Sequence, residues 1–201
     1  MICSRCGIAF VRLSKVRPFG DRAAFIDKRS PNCRCEVART SRYSPGPVSE
    51  TEVLIRLIVS PRHIHRKKGT PTAAALTHAE NQGLSIFRES IAKNEEIRRS
   101  AERLVEGARS ADPKAGIFGV FRIPCNVIRQ VAIPDAAPSY CVYDTAEKEI
   151  PSHAEAFQRI VGFDKSVHDS RRNALFALVA PNFVPVSTFR DGLLLDLAPV
   201  T

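Results

Sequence analysis

Val53-Leu54-Ile55-Arg56-Leu57-Ile58-Val59 is a run of large aliphatic side chains interrupted by one arginine. Successive side chains of a strand point to opposite faces of its sheet, and this run is apolar at both odd and even positions. It therefore predicts a strand over residues 52–59 that is buried on both sides. Arg56 is then a charged side chain on an otherwise apolar strand.

The strongest helical pattern follows at residues 94–109, where apolar side chains recur at the i, i+4, i+7, i+8 and i+11 spacing of one helical face. Asn94 is the predicted N-cap, ahead of two glutamates that favour the positive end of the helix dipole. Further helices are predicted at 152–161 and 169–179, and further strands at 116–123, 139–143 and 183–189, the last at a sheet edge because of Pro185. These strands and helices do not alternate in the regular βαβ order of a parallel sheet. The sequence thus predicts an α+β fold with a mixed or antiparallel sheet, three or so helices and a small Cys-rich N-terminal segment.

Composition and the positions of proline and glycine predict how the chain is divided into segments. Of its 201 residues 44% are hydrophobic and 25% charged, as in ordinary globular domains. The stretch at 40–50, with Pro45-Gly46-Pro47, predicts a linker between a basic segment at 1–39 and an α+β domain at 51–201. No run approaches the roughly 18 consecutive apolar residues of a membrane span, and no apolar signal-peptide core is visible. A cytoplasmic location without a membrane partner is expected, with an organelle transit peptide as the minor alternative.

Four of the six cysteines fall within the first 35 residues, as Cys3-x-x-Cys6 and Cys33-x-Cys35. Paired thiolates at short spacing can close on a tetrahedral Zn²⁺, so we expect one structural zinc held by Cys3, Cys6, Cys33 and Cys35. Four thiolates leave no open position for catalysis. The alternative is a disordered extension with free cysteines, arising from a translation start placed too far upstream. The two remaining cysteines, Cys125 and Cys141, are predicted to be buried free thiols.

Positive charge is concentrated at the front of the chain. Residues 1–50 carry ten Lys and Arg against four Asp and Glu, whereas residues 111–201 carry nine against ten. Any attraction to nucleic acid or to an acidic protein surface is therefore expected from residues 1–68. The side chains predicted to contact phosphates are Arg12, Lys15, Arg17, Arg22, Arg34, Arg39 and Arg42. A solvated basic tail without a partner is the alternative.

A second basic stretch, at residues 62–68, contains His63 and His65 among arginines and lysines. Alternating histidines on a strand would suit a metal ion, but the flanking cations would repel it. We therefore interpret the stretch as a solvated loop that contacts phosphate.

The segment Pro151-Ser152-His153-Ala154-Glu155 has two interpretations. Ser152 and Glu155 match the S-x-x-E capping box, in which the hydroxyl and the carboxylate satisfy exposed N–H groups at the start of a helix. His153 would project from the first turn of that helix, where it could act as acid or base. The capping interpretation accounts for both residues without any chemistry and is preferred.

Several short motifs from residue 51 onward resemble a widespread group of small, mostly uncharacterised bacterial proteins. The motifs are Leu54-Ile55-Arg56, Ser60-Pro61, Thr72-Ala73-Ala74, Leu84-Ser85-Ile86, Phe121-Arg122-Ile123-Pro124 and Pro151-Ser152-His153-Ala154-Glu155. This resemblance implies a shared fold and no particular activity. The Cys-rich front is not part of the group's pattern.

The preferred functional hypothesis is a non-enzymatic binding or accessory protein with a basic N-terminal module that contacts nucleic acid. An enzymatic alternative comes from a likeness to ADP-ribosyltransferase-like folds, in which an Arg or His on the first strand holds NAD phosphates and a later Glu contacts the ribose. Arg56, Thr70 or Thr72, and Glu155 occur in that order, with His153 near the last. This likeness implies an NAD-consuming enzyme, although the Ser-Thr-Ser-type strand of such folds is missing. A partner protein of a bacterial toxin, defence or mobile-element system is the third hypothesis.

Overall fold

The computed structural model describes residues 22–29, 35–37, 40–134 and 137–200. Its strands are β1 Val53–Ser60, β2 Ile64–His65, β3 Thr70–Pro71, β4 Leu84–Arg88, β5 Gly116–Pro124, β6 Tyr140–Asp144, β7 His153–Gln158 and β8 Phe183–Pro185. Its α-helices are α1 Arg22–Arg29, α2 Asn94–Arg109, α3 Cys125–Gln130 and α4 Lys165–Val179. Short 3-10 helices lie at Cys35–Val37, Ala73–Glu80, Ala180–Asn182, Phe189–Gly192 and Leu195–Leu197.

Six strands form one sheet in the order β6-β7-β4-β1-β5-β8, and every neighbouring pair is antiparallel. The short strands β2 and β3 pair with each other in a second, two-stranded sheet. Helices packed on an antiparallel sheet define the α+β class, so the predicted fold class is confirmed. Within the described ranges, no helix combines the length and the apolar composition needed to cross a bilayer.

Strand β1 lies in the interior of the sheet and is buried on both faces, as its sequence predicts. Leu54 and Ile58 point to one face, where α3, α4 and the 3-10 helix Ala73–Glu80 pack. Ile55 and Leu57 point to the other face, where α2 and the C-terminal segment pack. The sheet is therefore the middle of three layers, and its burial of apolar surface from both sides is the main stabilising contribution.

Helix α2 has the bounds predicted from its apolar spacing, although its cap differs. Lys93 is the N-cap, and Asn94 is already inside the helix. The Asn94 side chain instead accepts a hydrogen bond from Arg190 at 2.7 Å. At the other end of the chain, β8 covers only the first three residues of the predicted 183–189 strand and lies at the sheet edge, where a proline without an N–H group is tolerated.

The prediction of a helix at 152–161 is wrong. His153–Gln158 form β7, an inner strand that pairs with β4 on one side and with β6 on the other. The two residues of the supposed capping box have separate partners: Ser152 Oγ donates to Glu96 of α2 at 2.5 Å, and Glu155 pairs with Arg22 of α1. Pairing on both edges satisfies the backbone of this segment, so tertiary context overrides the local helix signal.

Residues 40–50, predicted as a linker, pack against the sheet. Val48 is 3% exposed and belongs to the apolar core on the α4 side. Arg88 at the end of β4 donates to the carbonyl oxygens of Gly46 and Pro47, and it forms an ion pair with Glu52 at 2.7 Å. These contacts fasten the stretch to the end of β4.

Candidate functional site

Arg56 lies where β1 separates from β4. The ladder between the two strands ends at the pair Ile55–Phe87. Beyond this pair the Arg56 guanidinium donates from Nε to the carbonyl oxygen of Ala75 at 3.2 Å and from Nη1 to that of Ser85 at 3.0 Å. The side chain thus satisfies the Ser85 carbonyl oxygen beyond the end of the ladder, together with the Ala75 carbonyl oxygen of the 3-10 helix Ala73–Glu80.

Arg56 is also a buried cation without a carboxylate beside it. Its exposed fraction is 4%, and burial, followed by the charge of Arg62, lowers its pKa to about 10. Among the described residues its hydrogen-bond partners are the two carbonyl oxygens, and no Asp or Glu offsets its charge. A cation in this state is stabilised by any anion that reaches it.

Two adjoining cavities open beside Arg56, and we refer to them together as the basic groove. The larger cavity, of about 620 Å³, lies between β1, the loop that follows β1, and α2. The smaller cavity, of about 250 Å³, extends toward β4 and β7. The side chains that line both cavities are Arg56, Leu57, His78, Arg103 and Leu104. These shared walls make the cavities two parts of one groove.

Positive charge exceeds negative charge along the basic groove. Four arginines line it, Arg56, Arg62, Arg66 and Arg103, against the two acids Asp112 and Glu147. All of these arginines except Arg56 are exposed, so a ligand can reach their side chains. The groove therefore attracts anions.

His63 is buried in the wall of the larger cavity and is neutral at pH 7. Its exposed fraction is 4%, and its Nδ1 accepts the backbone N–H of Val59 at 3.0 Å. Burial, followed by the charges of Arg56 and Arg62, lowers its pKa to about 3. The interpretation of both histidines as part of a solvated loop is thus wrong for His63, whereas His65 of β2 is exposed.

His78 is a second neutral histidine, and it orients Arg62. Its Nε2 lies 3.0 Å from Nη2 of Arg62, and Nε2 must accept because a guanidinium can only donate. Burial, followed by the charges of Arg56 and Arg62, lowers the pKa of His78 to about 4. At pH 7 these two histidines shape the groove without adding charge to it.

In the smaller cavity, Ser85 of β4 faces His153 of β7. The serine Oγ lies 2.9 Å from His153 Nε2, and His153 Nδ1 lies 3.0 Å from Oγ1 of Thr145. The imidazole also packs edge to face against Phe87, with ring centroids 6.3 Å apart. Three neighbours therefore hold the His153 ring in one orientation.

Glu155 lies on the same sheet face as His153, two residues further along β7, but it is not part of the groove wall. It is 6% exposed and pairs with Arg22 of α1 at 3.3 Å. Burial raises its pKa, against the opposing influence of His153 and Arg22. Of the residues considered for an NAD site, the structure brings Arg56 and His153 together at the smaller cavity and leaves Glu155 outside it.

Most residues of the predicted zinc and nucleic-acid sites lie outside the described residues. These are Cys3, Cys6, Cys33, Arg12, Lys15, Arg17, Arg34 and Arg39, together with the side chain of Cys35, whose backbone begins the 3-10 helix Cys35–Val37. Both sites stay predictions. Of the two remaining candidates, Arg22 is engaged by Glu155 and by the carbonyl oxygen of Gln82. Arg42 is exposed and stacks over the ring of Tyr43 at 4.7 Å.

Metal ligands do not gather elsewhere in the part of the chain that the structure describes: it holds no group of three or more His, Cys, Asp or Glu suited to an ion. Cys125 and Cys141 are free thiols, the first buried and the second half-buried. Burial raises their pKa values to about 12 and about 11. Little thiolate forms at neutral pH, so both are unreactive structural residues.

The sequence identified Arg56 and His153 as candidates, and it missed Arg103, His78 and Ser85. Each of these three has ordinary neighbours in the sequence, and they meet only because α2 and the 3-10 helix Ala73–Glu80 pack on the sheet that contains β4. No protein-family model, curated protein or solved structure matches this chain. The resemblances drawn from short motifs therefore stay expectations.

Proposed function

We propose that the α+β domain binds a phosphate-bearing small molecule of nucleotide size in the basic groove. The observation that carries this proposal is the state of Arg56, which is 4% exposed, has no carboxylate partner among the described residues and lines both cavities. Phosphate oxygens would supply the missing countercharge. A guanidinium also matches the geometry of phosphate through paired N–H donors.

The other arginines of the groove support the same ligand class. Arg62, Arg66 and Arg103 are exposed, and they line the larger cavity. Arginines that converge on one cavity bind phosphate more strongly than isolated surface cations do, because each adds charge-assisted hydrogen bonds. A ligand with two phosphate groups would engage both the buried and the exposed guanidinium groups.

The size and the apolar wall of the groove indicate what else the ligand carries. The larger cavity, of about 620 Å³, falls within the range of roughly 300–1,000 Å³ that small-molecule sites occupy. Leu57, Val59, Leu104 and Ala108 provide apolar surface beside the arginines. This combination suits a molecule with an apolar or aromatic group next to its phosphates, as in a nucleotide.

An NAD-consuming enzyme is a narrower form of this proposal, since NAD carries two phosphates. It is favoured by the presence of Arg56 and His153 at the same smaller cavity. It also requires Glu155 to give up its ion pair with Arg22 and to bind a ribose hydroxyl instead. The broader binding proposal needs no such exchange, and we prefer it.

The proposal is tested by calorimetric titration of ADP, and separately of inorganic pyrophosphate, into the full chain at low and at moderate salt. Arg103→Gln is the informative variant, because Arg103 is exposed and its loss leaves the core intact. Arg99→Gln is the control: it removes the same charge one turn earlier on α2, where the arginine makes only a 3.9 Å pair with Glu149 among the described residues.

We expect pyrophosphate and ADP to bind, and Arg103→Gln to weaken both about tenfold or more, as the loss of a charge-assisted hydrogen bond does. Arg99→Gln should change affinity less than about twofold, because an exposed charge outside the groove is screened. If neither ligand binds the wild-type chain, the proposal is refuted. Equal weakening by the two variants would also refute it, since binding would then follow net charge and not the groove.

A further inference from the structure

A serine and a histidine face each other in the smaller cavity, in the arrangement of a nucleophile and its base. Ser85 Oγ lies 2.9 Å from Nε2 of His153, within hydrogen-bond distance. Both side chains line the cavity and both are half-buried, so a ligand in the groove reaches them. The binding proposal makes no use of this pair.

A carbonyl oxygen near Nδ1 of His153 favours one of the two neutral forms of the imidazole. Nδ1 lies 3.0 Å from the hydroxyl of Thr145 and 3.4 Å from its backbone carbonyl oxygen. A carbonyl oxygen only accepts, so this pairing favours the form with the proton on Nδ1. Nε2 is then an acceptor, and the hydrogen bond to Ser85 runs from the hydroxyl to the imidazole. This is the direction that general-base activation of the serine requires.

The surroundings of the pair suit a charged phosphorus centre. Arg56 and Arg103 line the same smaller cavity, and Nη1 of Arg56 donates to the backbone carbonyl oxygen of Ser85 itself. Guanidinium groups at this position would neutralise the negative charge of phosphate oxygens as a nucleophile approaches. A substrate held by its phosphate would therefore present phosphorus close to the serine hydroxyl.

We propose that Ser85 is the nucleophile, and His153 the general base, of a phosphoryl-transfer site that hydrolyses a phosphate ester or anhydride bound in the basic groove. Ser85 Oγ forms a bond to phosphorus while its proton passes to Nε2 of His153. The bond from phosphorus to the leaving oxygen breaks, and that oxygen takes the proton from His153. Water, deprotonated by His153, then attacks the phosphoserine. Inorganic phosphate leaves, and the proton returns to Oγ. The sum is ester plus water giving alcohol plus phosphate, or anhydride plus water giving two phosphate products.

This inference rests on the binding proposal, and the experiment distinguishes a failure of the inference from a failure of binding. The full chain is incubated with an alkyl fluorophosphonate, a phosphorus electrophile that loses fluoride to an activated serine, and the modified peptide is identified by mass spectrometry. His153→Gln removes the base, and Ser85→Ala removes the nucleophile. Ser170→Ala is the control, since Ser170 is an exposed serine on α4 outside the groove. Thermal unfolding and pyrophosphate titration are measured on each variant.

We expect phosphonylation of Ser85 in the wild-type chain and in Ser170→Ala, none at this site in Ser85→Ala, and labelling slowed by about 10²-fold or more in His153→Gln. Ser85→Ala should still bind pyrophosphate. If Ser85 stays unmodified while pyrophosphate binds the wild-type chain, the nucleophile assignment is overturned and the binding proposal stands. Labelling at an unchanged rate in His153→Gln would overturn the role of the histidine.

Discussion

Replacing His63 with asparagine tests whether this histidine of the groove wall is buried and neutral in the folded protein. The asparagine side-chain oxygen can accept the N–H of Val59 in place of Nδ1, so the variant keeps the hydrogen bond of 3.0 Å that His63 makes. Unlike histidine, asparagine does not titrate. The variant therefore removes the ionisable group and little else.

The size and sign of the effect follow from the pKa of His63. Its pKa is about 3 in the folded protein, against an ordinary value of 6.5, because of burial first and then the charge of Arg56. Below pH 6.5 His63 binds a proton in the unfolded chain but not in the folded chain. The free energy of unfolding therefore falls as the pH falls toward 3. Between pH 7 and pH 5 this loss amounts to about 2 kcal/mol.

Urea unfolding at pH 7 and at pH 5, followed by circular dichroism, measures the loss. His65→Asn is the matched control, because His65 is exposed and lies two residues away. Other groups, such as Asp144 with its pKa raised to about 6, titrate equally in all three proteins and cancel in the comparison. We expect wild type and His65→Asn to lose stability alike and His63→Asn to lose about 2 kcal/mol less. An equal loss in all three proteins would refute the buried neutral histidine.

Two further predictions concern the frame that holds the groove. Arg88→Met should lower the free energy of unfolding by about 3–5 kcal/mol, because the buried Asp144 and the half-buried Glu52 lose their cation. Arg122→Gln breaks a half-exposed pair with Glu89 and should cost less than about 1 kcal/mol. Urea titration compares them, and similar losses would contradict the buried network. Gly119→Ala should destabilise by about 1–3 kcal/mol, since its Cβ would collide with β8. Gly107→Ala, with open space on α2, should stabilise by about 0.5–1 kcal/mol. A thermal scan in which Gly119→Ala melts at or above the wild-type temperature would show that β8 does not pack closely on β5.

The elements that the sequence predicts well are those with a strong and long pattern. Apart from Arg56, the seven residues 53–59 of β1 are apolar at both odd and even positions. Only a strand covered on both faces satisfies that pattern. Helix α2 repeats one apolar face over four turns, and its predicted bounds agree with the structure. By contrast, β4 and α3 have only five and six residues, and the sequence does not predict them. Segments this short are predicted inconsistently, since β6 also has five residues and is predicted to within one residue at each end.

Strand β7 shows how a local signal misleads. Ser152 and Glu155 have the spacing of a capping box, and that signal concerns only four residues. The alternation of Ala154 and Ala156 with longer side chains is equally compatible with a strand. The choice is made by β4 and β6, which lie far away in the sequence and offer hydrogen bonds on both edges. No window of the sequence contains that information.

The candidate site was predictable only in part, for a related reason. Arg56 stands out in the sequence because a single charge interrupts an apolar strand, and such a residue needs an explanation wherever it is. His78, Ser85 and Arg103 belong to a 3-10 helix, a short strand and the polar side of α2. Each is unremarkable in its own segment, and only the three-dimensional arrangement places them on one wall.

The separation of β1 from β4 accounts for both the cavity and its charge. Where the ladder stops, the carbonyl oxygen of Ser85 needs a donor, and Arg56 supplies it at 3.0 Å. Burying a guanidinium costs free energy that two carbonyl hydrogen bonds offset only partly, as the lowered pKa of Arg56 indicates. An anion in the groove would offset the remainder, so under the proposed function the interruption that weakens the sheet would also create the affinity. Because the same gap exposes Ser85 beside His153, binding and chemistry would share one structural cause.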